Sequence, residues 1–242
     1  MRDARIPEGL QVAPSLLAAD FARLAEEIHS VEAAGVTLLH LDVMDGVFVP
    51  NITFGPPLVA SVRSVSERFL DVHLMIRDPI GFAEAFARAG ADLLTFHAEA
   101  LGRATPDALA QLRRSRAALR ERGCGLGLSF RPSSEPAGWL ELAGGDLDLV
   151  LIMTVEPGFG GQAFREEQLP RVAAAARLRD ARGWTYRIEV DGGISAANAG
   201  AAAAAGAEIL VAGTSVFGRP DRREAVREIL AAGLQGARKS RL

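Results

Sequence analysis

The sequence contains a single lysine, Lys239, close to its C-terminal end. Chemistry that needs a buried amine, such as Schiff-base formation with a ketone, therefore has no residue to use. Cysteine is equally scarce. Cys124 stands alone, so no disulfide can form within the chain, and its place in an apolar run reads as a buried, inert thiol. No apolar stretch approaches the roughly 20 residues that cross a bilayer. Positive charge is not in excess either, and a net charge of −3 leaves no electrostatic footprint for nucleic acid. The first residues include Asp3 and Glu8 and hold no apolar signal core, so export is not expected and a cytoplasmic location is.

What the chain does have is enough material for one substantial core: 242 residues, 49% of them hydrophobic. Short apolar, β-branched runs alternate with longer Ala- and Arg-rich amphipathic stretches throughout. The runs fall at 10–13, 37–43, 69–75, 92–97, 124–130, 148–153, 186–190 and 208–212, which makes eight. Several of the intervening stretches carry start signals. Asp78 before Pro79 and Thr105 before Pro106 are caps followed by proline in the first turn, Ser195 can cap the Ala-rich stretch, and Asp221 can open the last helix. Eight strand–helix units with short loops predict an α/β protein built as a single (β/α)8 barrel, the TIM-barrel architecture, spanning 1–242 as one domain. A doubly wound open sheet is the rival, but it explains eight strands less economically, and no GxGxxG follows the first run. The segment from Gly233 to Leu242 is small, basic and polar, and reads as a frayed tail.

Alternate residues of a barrel strand point into the lumen, and the C-terminal strand ends surround the active site. His40 and Asp42, two apart, share a face at the end of the second strand; His73 is near the end of the third, and Asp191 follows the seventh. Two imidazoles and two carboxylates thus converge on one end of the barrel. A single such residue at a strand end is usually a cap or a satisfied polar group, whereas four together suit one divalent ion per chain. Mixed His/Asp donors favour Zn²⁺, Fe²⁺, Mn²⁺ or Co²⁺ over Ca²⁺. Asp71 and Glu189 lie one pleat deeper and need partners the sequence does not name. His97 and Glu99 end the fourth strand and can orient a ligand from behind, while His29 reads as an ordinary surface or interface residue.

Glycine forms a second cluster. Pro157-Gly158-Phe159-Gly160-Gly161-Gln162 follows the sixth strand, Gly192-Gly193 the seventh, and Gly213-Thr214-Ser215 the eighth. Glycine lets backbone N–H groups come close to an anion, and barrels often bind phosphate with these loops. Met44, Met75 and Met153 each sit at or just past a strand end, where they can serve as core filler or as a water-excluding lining.

Four segments carry a family resemblance: His40-Leu-Asp-Val-Met-Asp-Gly-Val-Phe-Val-Pro-Asn-Ile-Thr53, Asp71-Val-His-Leu-Met75, Met153-Thr-Val-Glu-Pro-Gly-Phe-Gly-Gly-Gln162 and Glu189-Val-Asp-Gly-Gly193. In order and spacing they resemble the ribulose-phosphate 3-epimerase family, and the likeness runs from about Ala13 to Phe217. The resemblance implies a metal held by His40, Asp42, His73 and Asp191, with Asp42 and Asp191 doubling as the catalytic acid–base pair. It also implies substrate contacts from Ser15 and His73, and a phosphate lying among Gly158 to Gly161, Gly192, Gly193, Gly213 and Thr214. The expected partners are a small ketose phosphate and further copies of the chain, with no nucleic acid and no membrane. Two departures from the family pattern stand out. Ser129-Phe130-Arg131-Pro132 replaces the usual Leu-Asn-Pro, which is expected to leave the metal site untouched and to change loop contacts near the substrate; Thr214 stands where serine is common and keeps the hydroxyl. Asp42-Val-Met-Asp45 lacks the lysine of the Asp-x-Lys-x-x-Asp pattern of barrel phosphosugar lyases and decarboxylases. An epimerase for a related substrate such as allulose 6-phosphate, or a non-catalytic phosphate-binding barrel, remains as the alternative.

Overall fold

The computed structural model describes residues 5–239. Eight strands form one parallel sheet: β1 (Gln11–Pro14), β2 (Leu38–Met44), β3 (Phe69–Met75), β4 (Leu93–His97), β5 (Gly125–Phe130), β6 (Leu149–Met153), β7 (Arg187–Asp191) and β8 (Ile209–Ala212). Each lies within one residue of the run that predicts it, at either end. The order β1-β8-β7-β6-β5-β4-β3-β2 is that of a barrel, and an isolated parallel bridge between Ser15 and His40 closes the seam between β1 and β2.

Helices α1 (Leu24–Glu32), α2 (Pro56–Val65), α3 (Pro79–Ala89), α4 (Ala98–Leu101), α5 (Pro106–Arg120), α6 (Ala137–Ala143), α7 (Leu169–Arg182), α8 (Ala199–Ala204), α9 (Thr214–Phe217) and α10 (Arg222–Lys239) fill the connections. Asp78, Thr105 and Asp221 accept the expected capping bonds from Gly81, Ala108 and Glu224. Ser195 does not cap with its side chain. Its carbonyl accepts from Asn198 and Ala199, and α8 starts at Ala199.

The period of two in each strand divides the apolar residues between two cores. Outward positions such as Leu39, Leu41, Val72, Phe96, Leu128, Ile152 and Val190 pack beneath the helices. Inward ones, Ala13, Leu38, Leu93, Leu149, Leu151, Ile209 and Val211, fill the lumen. At about 1.5–3 kcal/mol for each large apolar side chain buried, this double layer is what holds the barrel. Gly125 and Gly127 make room inside it, since a Cβ there would lie 2.8 Å from Leu93 Cδ1 or 2.7 Å from Thr95 Oγ1. Cys124 is buried beside β5, and burial pushes its thiol far above its ordinary pKa, as expected of an inert residue.

The reading of Gly233 onward as a frayed tail is corrected, because α10 continues to Lys239. Its glycines are contacts rather than breakers. A Cβ on Gly233 would lie 2.6 Å from Leu10 Cδ2, and one on Gly236 would lie 1.9 Å from the Gly200 carbonyl oxygen. Arg238 shares a groove with Gly9, Leu10 and Glu208, at the N-terminal ends of β1 and β8, and Lys239 beside it is exposed. Residues 240–242 of the expected tail lie outside the described residues.

Candidate active site and metal centre

The C-terminal half of the lumen is polar where the other half is apolar. β2 turns His40 and Asp42 inward, β3 turns Asp71 and His73, and β7 turns Glu189 and Asp191, in the alternation the strand period demands. One donor atom from each of His40, Asp42, His73 and Asp191 lies within 4.8 Å of the others. Asp42 is at the centre: its Oδ1 is 3.3 Å from His40 Nε2 and 3.3 Å from His73 Nδ1, and its Oδ2 accepts a 2.6 Å hydrogen bond from Ser15 Oγ.

Behind the cluster, His40 Nδ1 lies 2.7 Å from Asp71 Oδ2 and 3.5 Å from Glu189 Oε1. His40 is thus the partner that the sequence left unnamed for Asp71, whereas neither Glu189 oxygen has a hydrogen-bond partner. The Asp71 contact assigns the Nδ1 proton, so in the neutral imidazole that a metal requires Nε2 carries the lone pair; this buried Nε2 has no hydrogen-bond partner. A lone pair without a partner in a buried N2O2 cluster is what a divalent ion of the Zn²⁺, Fe²⁺, Mn²⁺ or Co²⁺ type requires, so these residues fit one. Donors sharing such an ion at about 2.1 Å sit at most about 4.2 Å apart, so the four side chains would draw together on binding.

The charges are strongly uneven. Burial opposes ionisation of Asp42, but the facing His40 and His73 outweigh it and hold the carboxyl well below the usual range. For Asp191, burial and then the charge of Asp42 push the pKa up to about 7. Burial disfavours the His40 cation, yet Asp42, Asp71 and Glu189 together hold its pKa well above the ordinary value. His73 goes the other way, lowered by burial against the pull of Asp42. Burial, reinforced by Asp71, raises Glu189 well above the carboxylate range. In the metal-free protein the two carboxyls thus differ, Asp42 fully ionised and Asp191 about half protonated at neutral pH.

A cavity of about 480 Å³ opens above the cluster. Its wall includes Ser15, Asp42, Asp191, Met44, Met75 and Met153, with the glycine loop Gly158–Gly161, Gly192, Gly193, Gly213 and Thr214 around one side. The three methionines are buried and close the apolar wall. Gly192 and Gly193 have φ of +126° and +67°, and a Cβ would lie 2.6 Å from Val155 Cγ2 at the first and 2.5 Å from the Phe164 nitrogen at the second. Only glycine fits there. Phe159 is 56% exposed at the rim. His73, expected to touch substrate, is fully buried and is absent from the cavity wall, as is His40; both lie beneath it.

Two features escape the sequence reading. Asn51 donates 2.8 Å to the Gly158 carbonyl and ties the β2–α2 loop to the glycine loop across the cavity mouth; its only signal is its place within the long motif after His40. Secondly, the Ser129–Pro132 departure does reach the cluster. Ser129 Oγ is 3.3 Å from His73 Nε2, and the Arg131 guanidinium stacks on the Phe48 ring at 4.2 Å while donating to the Phe48 carbonyl. His97 and Glu99 stand where expected, His97 Nε2 at 2.9 Å from His73 Nε2 and Nδ1 at 3.0 Å from Glu99 Oε2. Burial lowers the His97 pKa to about 4. Glu99 is brought down to about 2 because hydrogen bonds from His97, Ser134 and the Arg131 backbone outweigh its burial. His29 is exposed, with Nε2 3.3 Å from the Val65 carbonyl.

A parallel (β/α)8 barrel with a histidine–carboxylate cluster beneath a glycine-walled cavity at the strand C-termini defines a barrel enzyme. The chain belongs to the ribulose-phosphate 3 epimerase family, which it matches over residues 11–217. It is 47% identical over 221 residues to the ribulose-phosphate 3-epimerase of Bacillus subtilis (strain 168), covering 91% of this chain and 98% of that one. Against the Synechocystis sp. (strain ATCC 27184 / PCC 6803 / Kazusa) enzyme of the same name identity is 45%, covering 90% and 92%. Against that of Escherichia coli (strain K12) it is 40%, covering 90% and 93%. Membership makes the chain an isomerase of the carbohydrate-phosphate epimerase class. In fold alone it is also similar to KGPDC from Streptococcus mutans, with a TM-score of 0.69 at 14% identity over 94% of this chain and 99% of that one. A 3-hexulose-6-phosphate synthase gives 0.64 at 20% identity over 93% and 99%. Among the described residues, no helix is long and apolar enough to cross a membrane.

Proposed function

We propose that the chain interconverts D-ribulose 5-phosphate and D-xylulose 5-phosphate by inverting C3, with Asp42 and Asp191 as the two acid–base groups. The observation that carries this reading is geometric: β2 and β7 bring the Asp42 and Asp191 carboxyls to the floor of one cavity, within one histidine–carboxylate cluster. One carboxyl accepts the C3 proton on one face while the other returns a proton on the opposite face, and the roles exchange in the reverse direction. Inversion needs a group on each face of the planar enediolate, and β2 and β7 approach the floor from separate parts of the ring. Ser15 orients Asp42 by donating to its Oδ2. Met44, Met75 and Met153 line the site with apolar surface and keep water from the intermediate.

His40, Asp42, His73 and Asp191 would hold a divalent ion of the Zn²⁺, Fe²⁺, Mn²⁺ or Co²⁺ type. When bound, it supplies the positive charge that makes the carbon beside a ketone acidic enough for a carboxylate to deprotonate. The loops at Gly158–Gly161, Gly192, Gly193, Gly213 and Thr214 offer backbone N–H groups to the phosphate, far enough from C3 to fix the carbon between the two bases. The protein is read as cytoplasmic and homo-oligomeric.

The test is deuterium incorporation at C3 in D2O as ribulose 5-phosphate becomes xylulose 5-phosphate, in the parent and in metal-loaded Asp42→Asn and Asp191→Asn. Both variants should lose epimerisation. Asp191→Asn can retain substrate exchange through Asp42. Near-parent turnover in either metal-loaded variant sinks the two-carboxylate reading. A higher kcat/KM for allulose 6-phosphate moves the assignment to that substrate.

A further inference from the structure

His73 lies at one end of a buried hydrogen-bonded row whose far end is an ion. Its Nδ1 faces Asp42 in the cluster, and its Nε2 meets His97 Nε2 at 2.9 Å. The His97 ring stacks on that of His73, with centroids 4.9 Å apart. His97 Nδ1 meets Glu99 Oε2 at 3.0 Å, and the other carboxylate oxygen, Oε1, accepts the Arg131 backbone N–H at 2.9 Å.

A neutral imidazole has one N–H and one lone pair, so a row of two imidazoles has a direction. A carboxylate only accepts, and Glu99 therefore claims the Nδ1 proton of His97. That leaves a lone pair on His97 Nε2, which claims the Nε2 proton of His73. His73 is then left with a bare Nδ1 pointing into the cluster. Asp42 pulls the opposite way, since it too would accept a proton from His73 Nδ1. The distances take the side of Glu99: the contact to Asp42 is 3.3 Å, against 2.9 and 3.0 Å along the row. The Ser129 hydroxyl near His73 Nε2 can donate or accept, and the Ser134 hydroxyl donates to the Glu99 carboxylate without touching either imidazole, so neither decides the direction.

We propose that Glu99 is a positioning residue that acts through His97 to fix the tautomer of His73, presenting the Nδ1 lone pair as a metal donor. His40 has its own anchor in Asp71 at 2.7 Å; on the Nε2 side, away from Asp42, His73 reaches a carboxylate only by way of a second imidazole. The proposal rests on the metal reading above for its purpose, though not for its hydrogen-bond direction.

The two oxygens of Glu99 are chemically distinguished by their surroundings, and this supplies an isosteric test. In Glu99→Gln, the Arg131 N–H requires the amide oxygen at the Oε1 position, which turns the amide NH2 toward His97 Nδ1. An NH2 there reverses the whole row and puts the His73 proton on Nδ1. With four histidines in the chain, long-range ¹H–¹⁵N spectra of metal-free protein can assign each ring. The expected result is Nε2–H on His73 and Nδ1–H on His97 in the parent, reversed in Glu99→Gln, with Zn²⁺ affinity by chelator competition falling ten- to a hundredfold. Glu99→Asp, which keeps an acceptor-only end group, should recover most of the affinity, and thermal melting of each variant reports whether it folds. An Nδ1–H on His73 in the parent, or parent-like tautomers and affinity in a folded Glu99→Gln, overturns the proposal. If the parent shows the expected tautomers but binds no Zn²⁺, Mn²⁺, Fe²⁺ or Co²⁺, the row stands and the metal reading fails.

Discussion

Ser15 donates a 2.6 Å hydrogen bond to Asp42 across the seam of the barrel, one pleat from the Ser15–His40 bridge that closes it. The contact ties the first strand to the central residue of the cluster. Hydrogen bonds to a charged group contribute about 1.5–3 kcal/mol, and 1.4 kcal/mol is a factor of about ten. Ser15→Ala should therefore lower kcat/KM for ribulose 5-phosphate by about ten- to a hundredfold while metal content stays at the parent level. Parent-like kinetics in a metal-loaded Ser15→Ala would remove the hydroxyl from any role in orienting Asp42.

Asp191 links pH to the cluster. Its pKa of about 7 in the folded, metal-free protein lies above the ordinary carboxylate value of 3.8, so the folded state holds a proton that the unfolded state has released. The stability this group contributes is present below about pH 4 and is lost as pH rises through 7. Metal binding needs the carboxylate, so proton release on Zn²⁺ binding should rise by about one proton as pH falls from 8 to 6. Calorimetry in buffers of different ionisation enthalpy measures this count, and Asp191→Asn should flatten it. A pH-independent count in the parent would contradict the raised Asp191.

Gly236→Ala separates packing from chemistry. The added methyl would lie 1.9 Å from the Gly200 carbonyl oxygen, so α10 and α8 must move apart. Overpacking of this kind costs about 1–3 kcal/mol, which in a chain of this size lowers Tm by about 2–12 °C. Below the transition, kcat/KM should match the parent. An unchanged Tm would show that the two helices are not held at this contact.

The strands and the cluster were legible because both obey a period of two. Apolar residues alternate with the functional ones, so His40, Asp42, His73 and Asp191 fall on the lumen side of strands whose ends are easy to read. The glycine loops were legible because their conformations exclude side chains, as Gly192 and Gly193 show. What stayed hidden depends on contacts between segments distant in the chain. Nothing local marks Asn51 as the partner of Gly158, 107 residues away. Ser129 reads as a strand residue until β5 is set beside β4, which brings its hydroxyl to His73. The segment from Gly233 reads as a frayed tail because its small, basic and polar composition says nothing of a neighbouring helix close enough to require glycine at 233 and 236.

Lys239 ends α10 beside the groove formed with Gly9, Leu10 and Glu208, on the face of the barrel away from the cavity. As the only side-chain amine in the sequence, it gives amine-reactive reagents one side-chain address on the whole molecule. Coupling to an activated support through Lys239 would turn the cavity mouth outward toward solution. A fluorophore placed there would report on tumbling and assembly without approaching the histidine–carboxylate cluster.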